Sequence, residues 1–263
     1  MEPVAHDWPN LINELLSMLK LKSNPTGMKF IEDITDLDKI PYLKRPRPGD
    51  IHTACQLIGR ATRNGATVAI LPENLPNIQC RATLGMGSKE ELSASAHMKG
   101  VWFEHEEDAL AHQAAMYTPL NKYKAVVAFP LTRPVHFDPD IVLVYGSPQQ
   151  IMLLLNAVQY EKFEVISMTF VGESSCSDSW AKAMATGKIS VTIPCYGERS
   201  FGSVLDDEMI AAFPPSYMNR ILSGLKKLKK NKFAYPAPYY GTEHDMRPLL
   251  MHKYADELDK GNK

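Results

Sequence analysis

Asp140-Ile141-Val142-Leu143-Val144-Tyr145-Gly146-Ser147-Pro148 is the stretch from which the chain is best read. Ile141 to Val144 have the length and branching of a strand buried on both faces. Gly146 and Ser147 end it. Pro148 suits the first turn of a helix, where its missing N–H costs nothing. An apolar helical pattern from Gln149 to Val158 follows, and the rhythm continues to Gly202. Val165–Val171 reads as a second strand, leading through Gly172-Glu173-Ser174-Ser175-Cys176 into another helix. Ile189–Ile193 reads as a third, ending in Pro194-Cys195-Tyr196-Gly197-Glu198-Arg199. Strands alternating with helices imply an α/β fold with a mainly parallel sheet and helices on both faces. Such sheets place ligands just beyond strand ends, where Cys176 and Cys195 fall.

Upstream, strands are expected at Met28–Ile34, Thr67–Leu71 and Tyr123–Phe129. Helices are expected over Leu11–Leu19, over Ile51–Arg63 with Asp50 as cap, and at Lys89–Met98 and Glu106–Met116. Downstream, Asp206-Asp207-Glu208 precedes a short helix, and Ser216–Lys230 a longer one. Its basic end, Lys226-Lys227-Leu228-Lys229-Lys230, reads as a solvated terminus that complements the helix dipole. The tail from Phe233 to Lys263 carries tyrosines among prolines and is expected to lie over the body. No linker rich in Gly and Ser divides the chain, so residues 1–263 read as one domain.

The 263 residues, 44% hydrophobic and 22% charged, suit a globular protein with a sizeable core. The net charge of -1 argues against nucleic acid as a partner. No apolar run approaches the ~20 residues that span a bilayer. The N-terminus lacks the basic start and apolar core of a signal peptide, so a cytoplasmic protein with reduced cysteines is expected.

Those four cysteines sit in two similar units. Cys55 precedes helix-ending Gly65 and then Pro72, while Cys176 precedes Gly187 and then Pro194. A second cysteine, Cys80 or Cys195, lies beyond each proline. This suggests two pseudo-repeated halves, about 25–125 and 126–235, that bring their cysteine pairs together. Any single cysteine reads most simply as a small buried apolar residue, but four at turns invite chemistry. Their spacing lacks the close pairs of a zinc ribbon or ferredoxin loop, leaving an iron–sulfur cluster on dispersed cysteines. With three ligands, one iron would stay open to a substrate. Alternatively Cys176, at a helix start, could be a nucleophile.

Other residues carry weaker signals. His52 stands three before Cys55, a spacing that puts both on one face of a helix. His97, His105 and His112 lie in an acidic helical region and read as solvated. Arg199 could grip an anionic group bidentately, or pair with Asp206, Asp207 or Glu208. Gly85-Met86-Gly87 lacks the rest of a phosphate loop.

The Cys55-Gln56 pair ahead of Ala and Gly, the Asp140–Met152 phrase, Ser175-Cys176 and Pro194-Cys195-Tyr196-Gly197-Glu198-Arg199 resemble the domain-of-unknown-function 169 family of bacteria and archaea, often anaerobes. The likeness runs from about Met28 to Pro236. It implies a single domain and draws attention to Cys55, Cys80, Cys176, Cys195, Gly197 and Arg199, but brings no settled activity. The expectation is an iron–sulfur metalloenzyme acting on a small molecule, an anionic one if Arg199 grips it, through an open-iron or redox site. Cys55, Cys80, Cys176 and Cys195 would be its ligands, and Arg199 and His52 catalytic groups. Alternatives are zinc in place of the cluster, a small-ligand or haem-binding protein, or a structural protein with buried cysteines and no cofactor. A homo-oligomer is compatible with all of these.

Overall fold

The computed structural model describes residues 6–239 and residue 242; whatever the sequence suggests of the tail beyond them lies outside the described residues. Helix α1 (Trp8–Leu19) opens with Asp7 accepting from Asn10 N and buries Trp8, Ile12, Leu15 and Leu19 on one stripe. Strand β1 (Thr26–Ile31), helix α2 (Ala54–Thr62) and strand β2 (Val68–Ile70) follow. Next come α3 (Ile78–Thr83), α4 (Lys89–Ser93), α5 (Glu106–Ala115) and β3 (Ala125–Pro130). Then β4 (Ile141–Gly146) runs into α6 (Pro148–Gln159), whose start is fixed by a reciprocal Ser147–Gln150 capping box. A π-helical segment (Ser177–Ala181) continues into α7 (Lys182–Thr186). The rest is β5 (Ser190–Thr192), α8 (Tyr196–Gly202), β6 (Met209–Phe213) and α9 (Tyr217–Lys230).

The six strands form one sheet in the order β2-β3-β1-β4-β6-β5, and every pairing between them is antiparallel. The expected mainly parallel sheet is therefore wrong, for an identifiable reason. Both β1 and β2 pair antiparallel with β3, so β1 and β2 run in the same direction on either side of it. The same holds for β4 and β5 on either side of β6. Each crossover skips one place, and the next strand of the chain fills the gap in the opposite sense. That filling strand went unseen in the second half, because Met209–Phe213, with two alanines, reads as a short helix. Conversely Val165–Val171 is no strand. It touches the sheet edge through a single bridge, Met168 to Val191, and leaves Val165 and Phe170 exposed.

Burial explains why strand direction was misread. Every residue of β3 and β4 is buried. On one face Val127, Phe129, Val142, Val144, Ala211 and Phe213 pack with α1, α6 and α9. On the other, Met28, Phe30, Val126, Leu143, Tyr145 and Ile210 pack with α2 and the π-helical segment, including Trp180. A sheet covered on both faces gives unbroken apolar runs whatever its strand direction. The strand order also reads alike from either edge, and its midpoint falls between β1 and β4, which divides the chain between β3 and β4. The boundary read from sequence, at 125/126, would instead cut β3 away from β1 and β2. The segments Cys55–Pro72 and Cys176–Pro194 each run from a helix into a three-residue edge strand.

Candidate functional site: four cysteines and a buried carboxyl

Each of the four cysteines lies at the start of a helix on the same side of the sheet. Thr53 caps α2 in a capping box with Gln56, which puts Cys55 second in that helix. Asn77 caps α3, where Cys80 is third. Cys176 immediately precedes the π-helical segment, a geometry often found at functional sites. Cys195 is the residue before α8. Helix α8 is held at its start by Glu173, whose carboxylate accepts from Tyr196 N at 2.9 Å and Gly197 N at 2.5 Å. Gln79 of α3 donates to the Glu173 carbonyl at 2.7 Å, tying α3 to the same turn.

Helices α2 and α8 meet through two glycines. A Cβ on Gly59 would come within 2.8 Å of the Gly202 carbonyl oxygen, and one on Gly202 within 3.4 Å of the Cys55 Cβ. The absence of side chains is what lets the two helices that carry Cys55 and Cys195 lie so close.

The thiols feel one another. Burial, then the charge of Glu198, then Cys80, Cys195 and Cys176 push Cys55 well above the usual thiol range. Cys176 is pushed up to about 12 by burial and by Cys80, against hydrogen bonds from Ser174 and Thr83. Cys195 is pushed up to about 12 by burial, Glu198 and Cys176. Cys80 is raised by burial and Cys195, while the Ala54 N–H at the start of α2 supports its sulfur. All four are free of disulfides; Cys176 is buried, and the other three keep part of their surface open. The four cysteines singled out in the sequence are thus near enough for their charges to act on one another.

It adds a group that sequence reasoning missed. Glu198 is only 1% exposed. Tyr145 donates to its Oε1 at 3.1 Å. Burial pushes the carboxyl up to about 7, opposed by Tyr145, Ser175, Arg199 and Arg63. The other oxygen, Oε2, and the Ser175 hydroxyl make no hydrogen bond of ordinary geometry within the described residues, although Ser175 lies near enough to favour the charged carboxylate. Arg63 does not neutralise Glu198 directly. Its guanidinium forks onto buried Glu208, with Nη1 3.0 Å from Oε1 and Nη2 close to Oε2, and lies over the Tyr145 ring at 5.7 Å. No local spacing marked it, since Cys195 precedes α8 and shares no helix face with Glu198.

The two expected catalytic side chains sit otherwise. His52 is not in α2, which starts at Ala54 beyond the Thr53 cap, so the shared-face argument with Cys55 fails. Its Nε2 lies 4.0 Å from Asp50 Oδ2. Arg199 donates to the Leu205 carbonyl at 2.6 Å, while Glu208, one of the acids suggested for it, is held by Arg63. His112, read as solvated, is buried against the Phe103 ring at 5.0 Å, and burial lowers its pKa, with His97 adding to the effect. Among the described residues, no three His, Cys, Asp or Glu side chains are set to hold a single metal ion. No described helix is long and apolar enough to cross a membrane.

Over 129 residues the chain is 26% identical to an uncharacterised protein of Methanocaldococcus jannaschii, MJ0308, covering 49% of this chain and 55% of that protein. The chain thus spans about half the length of the curated relative it matches. No solved structure matches it significantly. The model of one family, domain of unknown function 169, described as "Uncharacterised ArCR", matches residues 14–224, from α1 into α9 and across every cysteine named above, and the chain belongs to that family.

Proposed function

We propose that Cys55, Cys80, Cys176 and Cys195 hold a polynuclear iron–sulfur cluster in a cytoplasmic protein that acts on a small molecule. The observation that carries this reading is the concentration of acidic groups. The four thiols and the Glu198 carboxyl are buried near one another: Glu198 raises Cys55, Cys176 and Cys195, and each thiol is raised by at least one other thiol. Nothing in an apolar core gains from that repulsion, whereas a bound cation relieves all of it at once. In the metal-free protein burial keeps the four thiols protonated, so binding of a metal would release their protons.

A cluster is preferred to a single zinc because one ion needs sulfurs within about 4 Å of each other at ordinary Zn–S lengths, and among the described residues no three donors are so placed. The ligands of one iron–sulfur cube stand roughly 6–7 Å apart. When bound, such a cluster supplies electrons or a Lewis-acidic iron. The chain's own contribution is to hold the four sulfurs from four helices and to place the Glu198 carboxyl, oriented by Tyr145, among them. Cys195, followed by the exposed Tyr196, is the side from which a small molecule would approach.

The test is replacement of each cysteine by serine, with iron and sulfide counted on protein purified without oxygen. Wild-type protein should carry a broad absorption near 400 nm, and each serine variant should lose iron. If all four variants keep the wild-type metal content, or the wild-type protein takes up no iron under reconstitution, the reading is wrong.

A further inference from the structure

Two exposed aromatic rings stand at the open edge of the cysteine site. Trp102 is 46% exposed and Tyr196 is 66% exposed, and their ring centroids are 5.6 Å apart at a tilt of 58°. They come from different parts of the chain. Tyr196 directly follows Cys195, and its N–H is fixed by Glu173. Trp102 lies in the turn between α4 and α5, where Gly100 N donates to Phe103 O at 2.7 Å. The other two tryptophans, Trp8 and Trp180, are fully buried, as is usual for a ring that loses much by facing water. The tilt leaves ring faces uncovered. Beside them Gly197 contributes no side chain; a Cβ there would stand 3.1 Å from Glu173 Oε1 and 3.8 Å from Cys195 Sγ, so the pair adjoins the sulfur and the Glu173 carboxylate.

We propose that Trp102 and Tyr196 bind a planar heteroaromatic ring at the mouth of the cysteine site. Electron-rich indole and phenol faces stack on such rings, and stacking tolerates varied substituents because every such ring has a π-face. Cys195 and Gly197 set where the ring's edge lies. This deepens the preceding reading by naming the class of small molecule, and it borrows from that reading only the openness of the site.

The three tryptophans make the test direct, since only Trp102 is accessible to a quencher in contact. Riboflavin and folic acid serve as planar probes and citrate as a non-planar control, each titrated into the purified full chain while tryptophan emission is followed. At least one planar probe should quench saturably and citrate should not. Tyr196→Ala, in which Trp102 still reports, should weaken the dissociation constant about tenfold or more. Trp102→Ala should abolish binding in equilibrium dialysis. Iron counted on the same samples separates the two readings: Tyr196→Ala should keep the wild-type iron content, and ring binding by protein that takes up no iron would sustain this site while removing the cluster. The proposal is overturned if neither planar probe binds saturably, if Tyr196→Ala binds as tightly as wild type, or if sedimentation shows that the two variants merely dissociate a dimer of this chain.

Discussion

Replacing Gly59 by alanine tests whether helix contact sets the cysteine geometry. The added Cβ would stand 2.8 Å from the Gly202 carbonyl oxygen and 3.3 Å from its carbon. These are backbone atoms, so no rotamer change relieves them. To restore ordinary contact at 3.4 Å, α8 must retreat by about 0.6 Å, comparable with the ~0.5 Å tolerance of a working site. Overpacking of this kind costs about 1–3 kcal/mol, while alanine in a helix interior gains about 1 kcal/mol over glycine. The net loss is about 0–2 kcal/mol, which lowers the melting temperature by up to roughly 8 °C in a chain of this size. The informative measurement is iron content set beside melting temperature. Gly224→Ala is the control, because its Cβ would strike the Ala157 carbonyl between α9 and α6, on the opposite face of the sheet. That variant should lose more stability than Gly59→Ala yet keep full iron per folded molecule. If Gly59→Ala melts higher than wild type and binds iron normally, the contact does not position Cys55 and Cys195.

Glu198 gives a signed pH dependence in metal-free protein. Its pKa rises from 4.5 to about 7 on folding, so the folded state holds the proton more tightly and stability falls as pH rises from about 4.5 through 7. Integrated, that shift amounts to on the order of 3 kcal/mol, and Glu198→Gln should flatten urea-denaturation midpoints across that window; an unchanged slope would place the carboxyl outside the buried network. Tyr145→Phe removes the hydrogen bond that opposes the rise, so the Glu198 titration should move to higher pH, with a stability loss of about 1–3 kcal/mol near neutrality, read by the same denaturation series. Asp178, fully buried in the π-helical segment, accepts from Thr169 Oγ1 at 2.7 Å and Val171 N at 2.8 Å. Asp178→Ala should cost roughly 1.5–3 kcal/mol for each bond lost, and a melting point within 2 °C of wild type, against the shift expected for that loss, would show these bonds to be dispensable.

Of the helix starts that carry the cysteines, the one at Cys176 was read; the Cys55 helix was begun early, at Ile51 with Asp50 as cap, and the helices beginning at Ile78 and Tyr196 went unread, although Thr53 with Gln56 and Asn77 mark two of these starts. The convergence of the cysteines was suggested by the paired units but depended on which strands neighbour which, and no local pattern encodes that. The direction of pairing was hidden by the double cover of the sheet, which turns Ala125–Pro130 and Ile141–Gly146 into featureless apolar runs. Met209–Phe213 failed as a strand because its two alanines carry little β preference; its place between β4 and β5 overrides that. Glu198 was overlooked because a glutamate beside an arginine resembles a surface pair until the helix that buries it is known.

The two halves of the sheet meet only where β1 and β4 pair, over Thr26–Leu143, Gly27–Val142 and Met28–Ile141, whereas β1 and β3 share six such pairs. Cys55 and Cys80 precede β3, and Cys176 and Cys195 follow β4. Anything gripped by all four sulfurs is therefore a clasp across the narrow seam. Its binding energy adds to the closure of the sheet, and its removal would be felt first as a loosening along that line, before either half begins to unravel.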